Sequence, residues 1–410
     1  MIQLKQSTVA LLALVTVAMI SFVTLELGFP VTFDKEHLLD FDIFHLVSTM
    51  IAEGQLSAAY VSESFLARQS TVPGFDGWEM FWSYPPHFNL VVAPLSLLPL
   101  AVSYVLFMAV TLTFYVVVIR ALAGPAFHTI IALFLPLVLL IIRSGQNSFI
   151  TGGLIGLTCL LALRQSRWAG VPLGLMAIKP HLALGVGIWS LLDRRWGLAA
   201  LSLVVVAIVS LLATLAFGTD VWSTSLTAIA STAEVLREGR FPLFRMTSIY
   251  ASALSFGIAH HIAMLLHLMS VIAALGALAV LSRAKLPPRV FMGAGVVVST
   301  LISPYNYDYD LAMLAVAACL LFDTVASHAS KVERFIIAGV ILIVGTYGFA
   351  LTAVVAVIIN DETAAPVSLL GPVLLSGGIV LFRILWRSKT SPSGILPNKM
   401  SDAEVGKAAG

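Results

Sequence analysis

The sequence has little charge, and this scarcity restricts the class of protein more than any other feature. Asp, Glu, Lys and Arg together make up 11% of the 410 residues, whereas a soluble domain carries roughly 25%. Hydrophobic residues make up 59% of the chain, and so much apolar surface is stable only in a hydrocarbon solvent. The formal net charge is +2 and there is no basic tract, so nothing indicates a nucleic-acid partner. We therefore predict an integral membrane protein in contact with membrane lipids.

Cysteine is scarce as well. The two cysteines, Cys159 and Cys319, lie inside apolar runs, where they indicate neither a disulfide framework nor a metal site. We expect both to be small packing residues in helices, and we expect no metal ion or other cofactor. The chain also lacks a convincing internal repeat, which weakens the interpretation as an inverted-repeat transporter.

Long uncharged apolar runs are what the sequence has in abundance. About 20 such residues cross the bilayer core as a helix. Runs without Asp, Glu, Lys or Arg occur at 6–25, 86–119, 196–219, 246–282, 335–360 and 363–382. The predicted fold class is all-α, a polytopic transmembrane helical bundle of about 12 spans. These spans are predicted to begin near residues 6, 101, 128, 148, 168, 181, 196, 260, 290, 311, 335 and 364.

The distribution of Lys and Arg determines the predicted orientation. If the N-terminus lies in the cytoplasm, most basic residues fall inside and most acidic residues outside, as the positive-inside rule requires. The chain is then a single domain over 1–389 in the inner (plasma) membrane, with outer loops at 30–85 and 218–258. Both termini are predicted to be cytoplasmic, and the polar tail at 390–410 is predicted to be disordered.

Some apolar segments are too short or too interrupted to span the membrane alone. Segment 86–98 is interrupted by proline, so we predict a re-entrant or interfacial helix. Segments 168–178 and 181–192 meet at Lys179-Pro180 and are also short. Broken helices at membrane depth occur where they are buried in protein or line a watery cavity.

Acidic and aromatic residues on the outer side are the first candidates for chemistry. Asp40 and Asp42 follow the first span, and on a helix Asp40 shares a face with Phe44. A carboxylate at the membrane surface can be a general base toward an alcohol; alternatively, these acids only keep the loop hydrated. Tyr84 and His87 flank two prolines that start an apolar helix. For these two residues, contact with a substrate and a position in an interfacial aromatic belt are the two alternatives.

Basic residues that depart from the charge pattern are the second group. Arg143 precedes the polar pair Gln146 and Asn147 on the outer side. A guanidinium binds phosphate oxygens at two points, and a structural ion pair is the alternative. Lys179 interrupts an apolar stretch beside His181, so it either supplies a second positive charge or extends to the interface.

Three further arginines lie in the second outer loop: Arg237, Arg240 and Arg245. The first two are three residues apart and can face one patch of a helix. Because Glu234 and Glu238 lie in the same loop, we expect mutual neutralisation of these charges.

A polar and aromatic segment follows Ser303-Pro304 and contains Tyr307, Asp308 and Asp310. Aromatic rings and carboxylates are suited to stacking on a sugar and hydrogen-bonding its hydroxyls. A belt of interfacial aromatics at a turn is the alternative.

The ordered series of these segments resembles the family 87 glycosyltransferases, which are polyprenol-phosphate-dependent enzymes of the GT-C fold. The resemblance runs from about residue 38 to 320. The matching residues are Asp40-Phe41-x-x-Phe44, Gly54, Tyr60, Tyr84-Pro85-Pro86, Pro94-Leu95, Leu98-Pro99, Gly145-Gln146-Asn147, Ala169-Gly170 through Gly174 to Lys179-Pro180, Arg194-Arg195-Trp196, and Ser303-Pro304 through Asp308.

The resemblance implies an inverting transfer of mannose or a related hexose from a polyprenyl-phosphate sugar to a hydroxyl of a lipid or glycan acceptor. It implies that Asp40 is the catalytic base on the extracytoplasmic face, and that Arg143 and Lys179 hold the donor phosphate without a metal. Better-known members carry a histidine pair after the aspartate that matches Asp308, whereas Tyr309-Asp310 follows here. A histidine-assisted step and transfer to a phosphoinositide mannoside are therefore in doubt.

Two functions other than an enzyme stay open. A transporter or flippase of a lipid-linked or small polar substrate predicts ionisable residues near the membrane midplane and related halves. A non-catalytic scaffold for envelope assembly predicts tolerance to the loss of Asp40. The unusual polar residues of this chain gather toward one side instead, which favours the enzyme.

Overall fold

Helices dominate the part of the chain that the computed structural model describes, namely residues 38–73, 75, 77, 79–354 and 366–389. Within these ranges no β-strand is present, and one isolated antiparallel bridge joins Met246 to Tyr307. The predicted first span near residue 6 and the tail at 390–410 lie outside the described residues.

The α-helices follow one another closely along the chain. They are α1 (Asp40–Ala52), α2 (Leu56–Ala59), α3 (Ser62–Gln69), α4 (Pro86–Val92), α5 (Leu100–Ala123), α6 (Phe127–Ser144), α7 (Ser148–Leu163), α8 (Gly170–Leu175), α9 (Leu184–Leu192), α10 (Trp196–Phe217), α11 (Asp220–Arg237), α12 (Ile249–Ser255), α13 (His260–Ser282), α14 (Pro288–Ile302), α15 (Met313–His328), α16 (Lys331–Val354) and α17 (Leu370–Ser388). Short 3₁₀ segments occupy Ala93–Leu97, Gly124–Ala126, Arg167–Ala169, Met176–Ile178, Pro180–Ala183, Leu243–Arg245 and Asp308–Ala312.

Six helical stretches of the described residues are long and apolar enough to cross a membrane. They are Leu100–Ser144, Trp196–Phe217, His260–Ser282, Asp308–His328, Lys331–Leu351 and Leu370–Ser388. Shorter apolar helices occupy Ser148–Leu163, Pro180–Leu192 and Pro288–Ile302. The described part of the chain is therefore all-helical and has the features of a membrane bundle, and the count of about 12 spans stays a prediction.

The two segments predicted to be interrupted are short and broken in the structure. Segment 86–98 forms the seven-residue helix α4 and then a 3₁₀ turn, far short of the roughly 20 residues that a span requires. Around Lys179-Pro180, α8 and α9 are separated by two 3₁₀ segments. At Gly170 and Gly174 of α8, a β-carbon would overlap backbone carbonyls of α10, so these glycines allow the broken helix to pack closely against α10.

The core is formed where α7 lies between α5 and α15. Tyr115 of α5 is fully buried, and its hydroxyl donates a 2.8 Å hydrogen bond to the carbonyl of Ala312. Gly152 of α7 faces both residues, and a β-carbon there would be 3.0 Å from the Tyr115 ring. Cys159 and Cys319 are buried free thiols in this core, which agrees with their predicted packing role.

Candidate active site

A cavity of about 440 Å³ collects side chains from six segments that are distant in sequence. Its walls come from the start of α1, residues 79–85, the end of α6, the break at 178–181, the second half of α11 with residues 241–246, and residues 305–310. The charged and polar lining residues include Asp40, Glu79, Tyr84, Arg143, Gln146, Lys179, His181, Arg245, Tyr307, Tyr309 and Asp310. The cavity thus brings together eight of the twelve residues that the sequence singled out for the site.

Asp40 is the first residue of α1 and faces the cavity. The N-terminus of this helix is held by Asp42, whose carboxylate accepts a 2.7 Å hydrogen bond from the backbone N–H of Leu39. Phe41 and Phe44 are buried and fix the helix against its neighbours. The two carboxylates therefore have different positions, with Asp40 on the cavity and Asp42 buried as a helix cap.

Asp40 has no ion-pair partner among the described residues, although cations lie nearby. Burial raises its pKa above the ordinary value, and this effect exceeds the opposing influence of Arg245, of the hydrogen bond from Gln146 and of Lys179. A carboxylate with a raised pKa is a stronger base when ionised. Asp40 is thus suited to accept a proton from a group bound in the cavity.

Gln146 lies beside Asp40 because the turn at the preceding residue, Gly145, packs closely against α1. Gly145 ends α6 in the left-handed conformation (φ 69°), and a β-carbon at this position would overlap Phe41. Only glycine allows α1 to approach this turn so closely. The Tyr84 hydroxyl donates to the amide oxygen of Gln146 at 3.1 Å, which leaves the amide N–H groups to donate to Asp40.

Lys179 lies at the break between α8 and α9, and its ammonium is buried. Its Nζ donates to Oδ1 of Asp310 at 2.6 Å. The same Nζ lies 5.4 Å from the ring centroids of Tyr84 and Tyr309, where the aromatic faces attract a cation. Asp310 and the two aromatic rings therefore hold Lys179 in the cavity wall.

Arg245 is a cationic site residue that the sequence interpretation missed. Its guanidinium donates to both oxygens of Asp308, at 3.2 Å from Nε and 3.0 Å from Nη2. It also lies 5.3 Å from the ring centroid of Tyr309, which stacks on Tyr307. The expected neutralisation by the acids of the second outer loop was wrong for this residue. No local pattern marks this role, because its partner Asp308 lies 63 residues away in the sequence.

The expected neutralisation does hold for the other two arginines of that loop. Arg237 pairs with Glu234. Arg240 pairs with Glu79 at 2.5 Å and contacts Glu238 at 3.5 Å. The Arg240–Glu79 pair joins the segment after α11 to the segment before α4, beside the cavity that Glu79 lines.

The remaining candidates are divided between the cavity and its surroundings. Arg143 lines the cavity and lies over the ring of Phe349, with 5.8 Å between the guanidinium carbon and the ring centroid. Asp308 is fully buried behind Arg245. His87 contacts Ser210 with an Nε2–Oγ distance of 2.8 Å and does not line the cavity.

Asn147 is also buried away from the cavity, at the start of α7. Its side-chain amide has no hydrogen-bond partner in the part of the chain that the structure describes. Within the same residues, no group of three or more His, Cys, Asp or Glu side chains is placed to hold a metal ion.

The sequence model of Glycosyltransferase family 87 matches residues 82–304, which is more than half of the chain. This range contains Tyr84, Arg143, Gln146, Lys179 and Arg245, whereas α1 and residues 307–310 lie outside it. No curated protein and no solved structure matches the chain.

Proposed function

The chain belongs to glycosyltransferase family 87, and from this membership we propose that it transfers mannose or a related hexose from a polyprenyl-phosphate sugar to an acceptor hydroxyl. The acceptor is a lipid or glycan, and the reaction takes place on the extracytoplasmic face of the membrane. One observation carries the proposal: a single cavity joins the carboxylate of Asp40, which has no ion pair among the described residues, to the cationic side chains of Arg143, Lys179 and Arg245.

Asp40 is the catalytic base in this proposal. It accepts the proton of the acceptor hydroxyl while the acceptor oxygen attacks C1 of the sugar. The bond between C1 and the phosphate oxygen breaks, and polyprenyl phosphate leaves with that electron pair. One displacement from the face opposite the phosphate inverts C1. Two features support the role of Asp40: it lines the cavity without an ion pair among the described residues, and its pKa is raised by burial.

Arg245 and Lys179 bind the donor phosphate, with Arg143 at the cavity wall. The phosphate carries one negative charge in the donor and approaches two as the bond to C1 breaks. Cations in a partly buried site therefore stabilise the transition state more than the bound donor. The geometry supports this assignment because Asp308 and the tyrosine rings hold Arg245 at the cavity, and Asp310 and Tyr84 hold Lys179 there.

Tyr307 and Asp310 are the proposed sugar contacts, with Tyr84 and His181 beside them. All four line the cavity. Burial raises the pKa of Tyr84 to about 12, so its hydroxyl stays protonated and available as a hydrogen-bond donor at neutral pH. Asp308 is buried behind the arginine, and in this proposal it orients Arg245 instead of binding the sugar.

The direct test is transfer from radiolabelled polyprenyl-phosphate mannose by the purified protein, comparing wild type with Asp40→Asn. Loss of a general base costs about 10²–10⁴-fold in rate, so we expect at least a hundredfold loss with normal expression. Asp42→Asn is the matched control, because it changes a carboxylate two positions away that caps α1 outside the cavity. Near-normal transfer by Asp40→Asn would remove the base assignment.

A further inference from the structure

One wall of the cavity is an apolar stripe on α11, whose role the reaction does not define. Leu226, Ile229, Ala233 and Leu236 follow one another at spacings of three and four residues, so they share one face of the helix. We call these four residues the α11 stripe. From Leu226 to Leu236 it extends about 15 Å along the helix axis, given a rise of 1.5 Å per residue.

Exposure increases steadily along the α11 stripe. Leu236 is 1% exposed, Ala233 is half-buried, Ile229 is 41% exposed and Leu226 is 66% exposed. Leu236, Ala233 and Ile229 line the cavity, whereas Leu226 lies beyond it. The stripe is therefore a continuous apolar path that leads from the inside of the cavity to the outer surface of α11.

The opposite face of α11 is polar. Asp220, Thr227 and Ser231 are exposed on that face. A helix with one apolar and one polar face can lie in the plane of a membrane surface, with its apolar side toward the acyl chains. The outer end of the α11 stripe then meets the hydrocarbon region, and its inner end meets the cavity.

The cations that line the cavity and the apolar residues of the α11 stripe lie on different segments of the chain. The cations Arg143, Lys179 and Arg245 come from the end of α6, the break at 178–181 and the loop after α11. The inner part of the α11 stripe carries no charge. An amphiphile with an anionic head and a long hydrocarbon chain fits this division, since each part meets a matching surface.

We propose that the α11 stripe binds the isoprenoid chain of the donor and guides it from the cavity to the membrane. This proposal rests on the proposed function, because it assigns the lipid part of the same donor. Its consequence is a dependence on chain length. Residues at the outer end, Leu226 and Ile229, contact the distal part of a long isoprenoid, whereas a short isoprenoid ends before it reaches them.

The test compares two donors, a long-chain polyprenyl-phosphate mannose and geranyl-phosphate mannose, with the same detergent and acceptor. In the double variant Leu226→Ser/Ile229→Ser, the lost apolar contact raises KM for the long-chain donor about tenfold. We expect KM for the geranyl donor and kcat for both donors to stay within twofold of wild type.

The matched control is Leu265→Ser/Met269→Ser on α13. These residues are 58% and 59% exposed, four positions apart and away from the cavity. Their replacement should change KM for neither donor. Such a control separates contact with the isoprenoid from a general effect of polar residues on a lipid-exposed helix.

Two results would overturn the α11 stripe as an isoprenoid site. Equal loss with both donors would mean that α11 only supports the shape of the cavity, and no change with either donor would mean that the stripe only contacts bilayer lipid. If wild type transfers mannose from neither donor, the proposed function itself fails and the stripe assignment fails with it.

Photocrosslinking gives a second readout: a benzophenone maleimide on Leu226→Cys should label long-chain polyprenyl phosphate, and an absence of adduct would contradict the proposal.

Discussion

Asp308 and Arg245 form a two-point ion pair between side chains that are 63 residues apart in sequence. Asp308 is fully buried, and Arg245 keeps its outer surface toward the cavity. Next to this pair the segment between α11 and α12 meets the segment after α14, where the backbone N–H of Thr247 donates to the carbonyl of Asn306 at 2.8 Å. The guanidinium is therefore held by its partner carboxylate and by the backbone pairing beside it.

Arg245→Lys tests whether the guanidinium itself is required. The variant keeps the positive charge and removes the planar fork that contacts both oxygens of Asp308. We expect KM for the polyprenyl-phosphate donor to rise about tenfold, because the variant loses roughly one charged hydrogen bond to the phosphate. Arg240→Lys, at the exposed Glu79 pair, is the control and should behave as wild type. An unchanged donor KM in Arg245→Lys would exclude a phosphate contact that depends on the fork.

Gly348→Ala tests how α16 supports this ion pair. A β-carbon at position 348 would overlap Oδ2 of Asp308 and lie 3.4 Å from Cγ of Arg245. The carboxylate must then move, so we expect a loss of about 1–3 kcal/mol in the free energy of unfolding, as for overpacked sites, and weaker donor binding.

Gly339→Ala on the same helix is the matched control, because a β-carbon added there would have no other atom within 4 Å. This variant should leave both properties unchanged or slightly stabilise the helix. Thermal unfolding and initial rates measure the two effects. Equal behaviour of the two variants would show that the Asp308–Arg245 pair does not depend on the contact with α16.

The helical bundle was predictable because the sequence contains hydrophobic runs that are long enough to span a membrane. The breaks at 86–98 and at Lys179-Pro180 were predictable for the same local reason, since proline removes a backbone donor and leaves too few residues for a span. The amphipathic helix α11 was not predicted, because the 218–258 segment was interpreted as a loop from its charges alone. The apolar spacing of three and four residues that indicates such a helix is nevertheless present at Leu226, Ile229, Ala233 and Leu236.

The candidate site was predictable only in part, because tertiary pairing decides which charges face the cavity. Asp40 and Lys179 stand out locally, one as an acid after the first span and the other as a cation in an apolar run. Arg245 does not stand out, since two glutamates of its own loop are close in sequence. Its partner is Asp308, and no local pattern links residues 63 positions apart. Asp308 was accordingly predicted to contact the sugar, whereas in the structure its carboxylate binds Arg245.

The pH dependence of transfer tests the environment of Asp40. A base must be ionised, so kcat/KM falls as the pH drops through the pKa of this carboxyl. Because burial raises that pKa, the acid limb should have its midpoint above 3.8, the ordinary value for Asp. Gln146→Met removes the hydrogen bond that lowers the pKa of Asp40, and a side chain of similar size keeps the site filled. The limb should therefore move to higher pH in this variant.

Rates measured across pH with a saturating acceptor check both expectations. A limb at or below the ordinary Asp value in wild type, or a shift to lower pH in Gln146→Met, would contradict the assignment of this limb to Asp40.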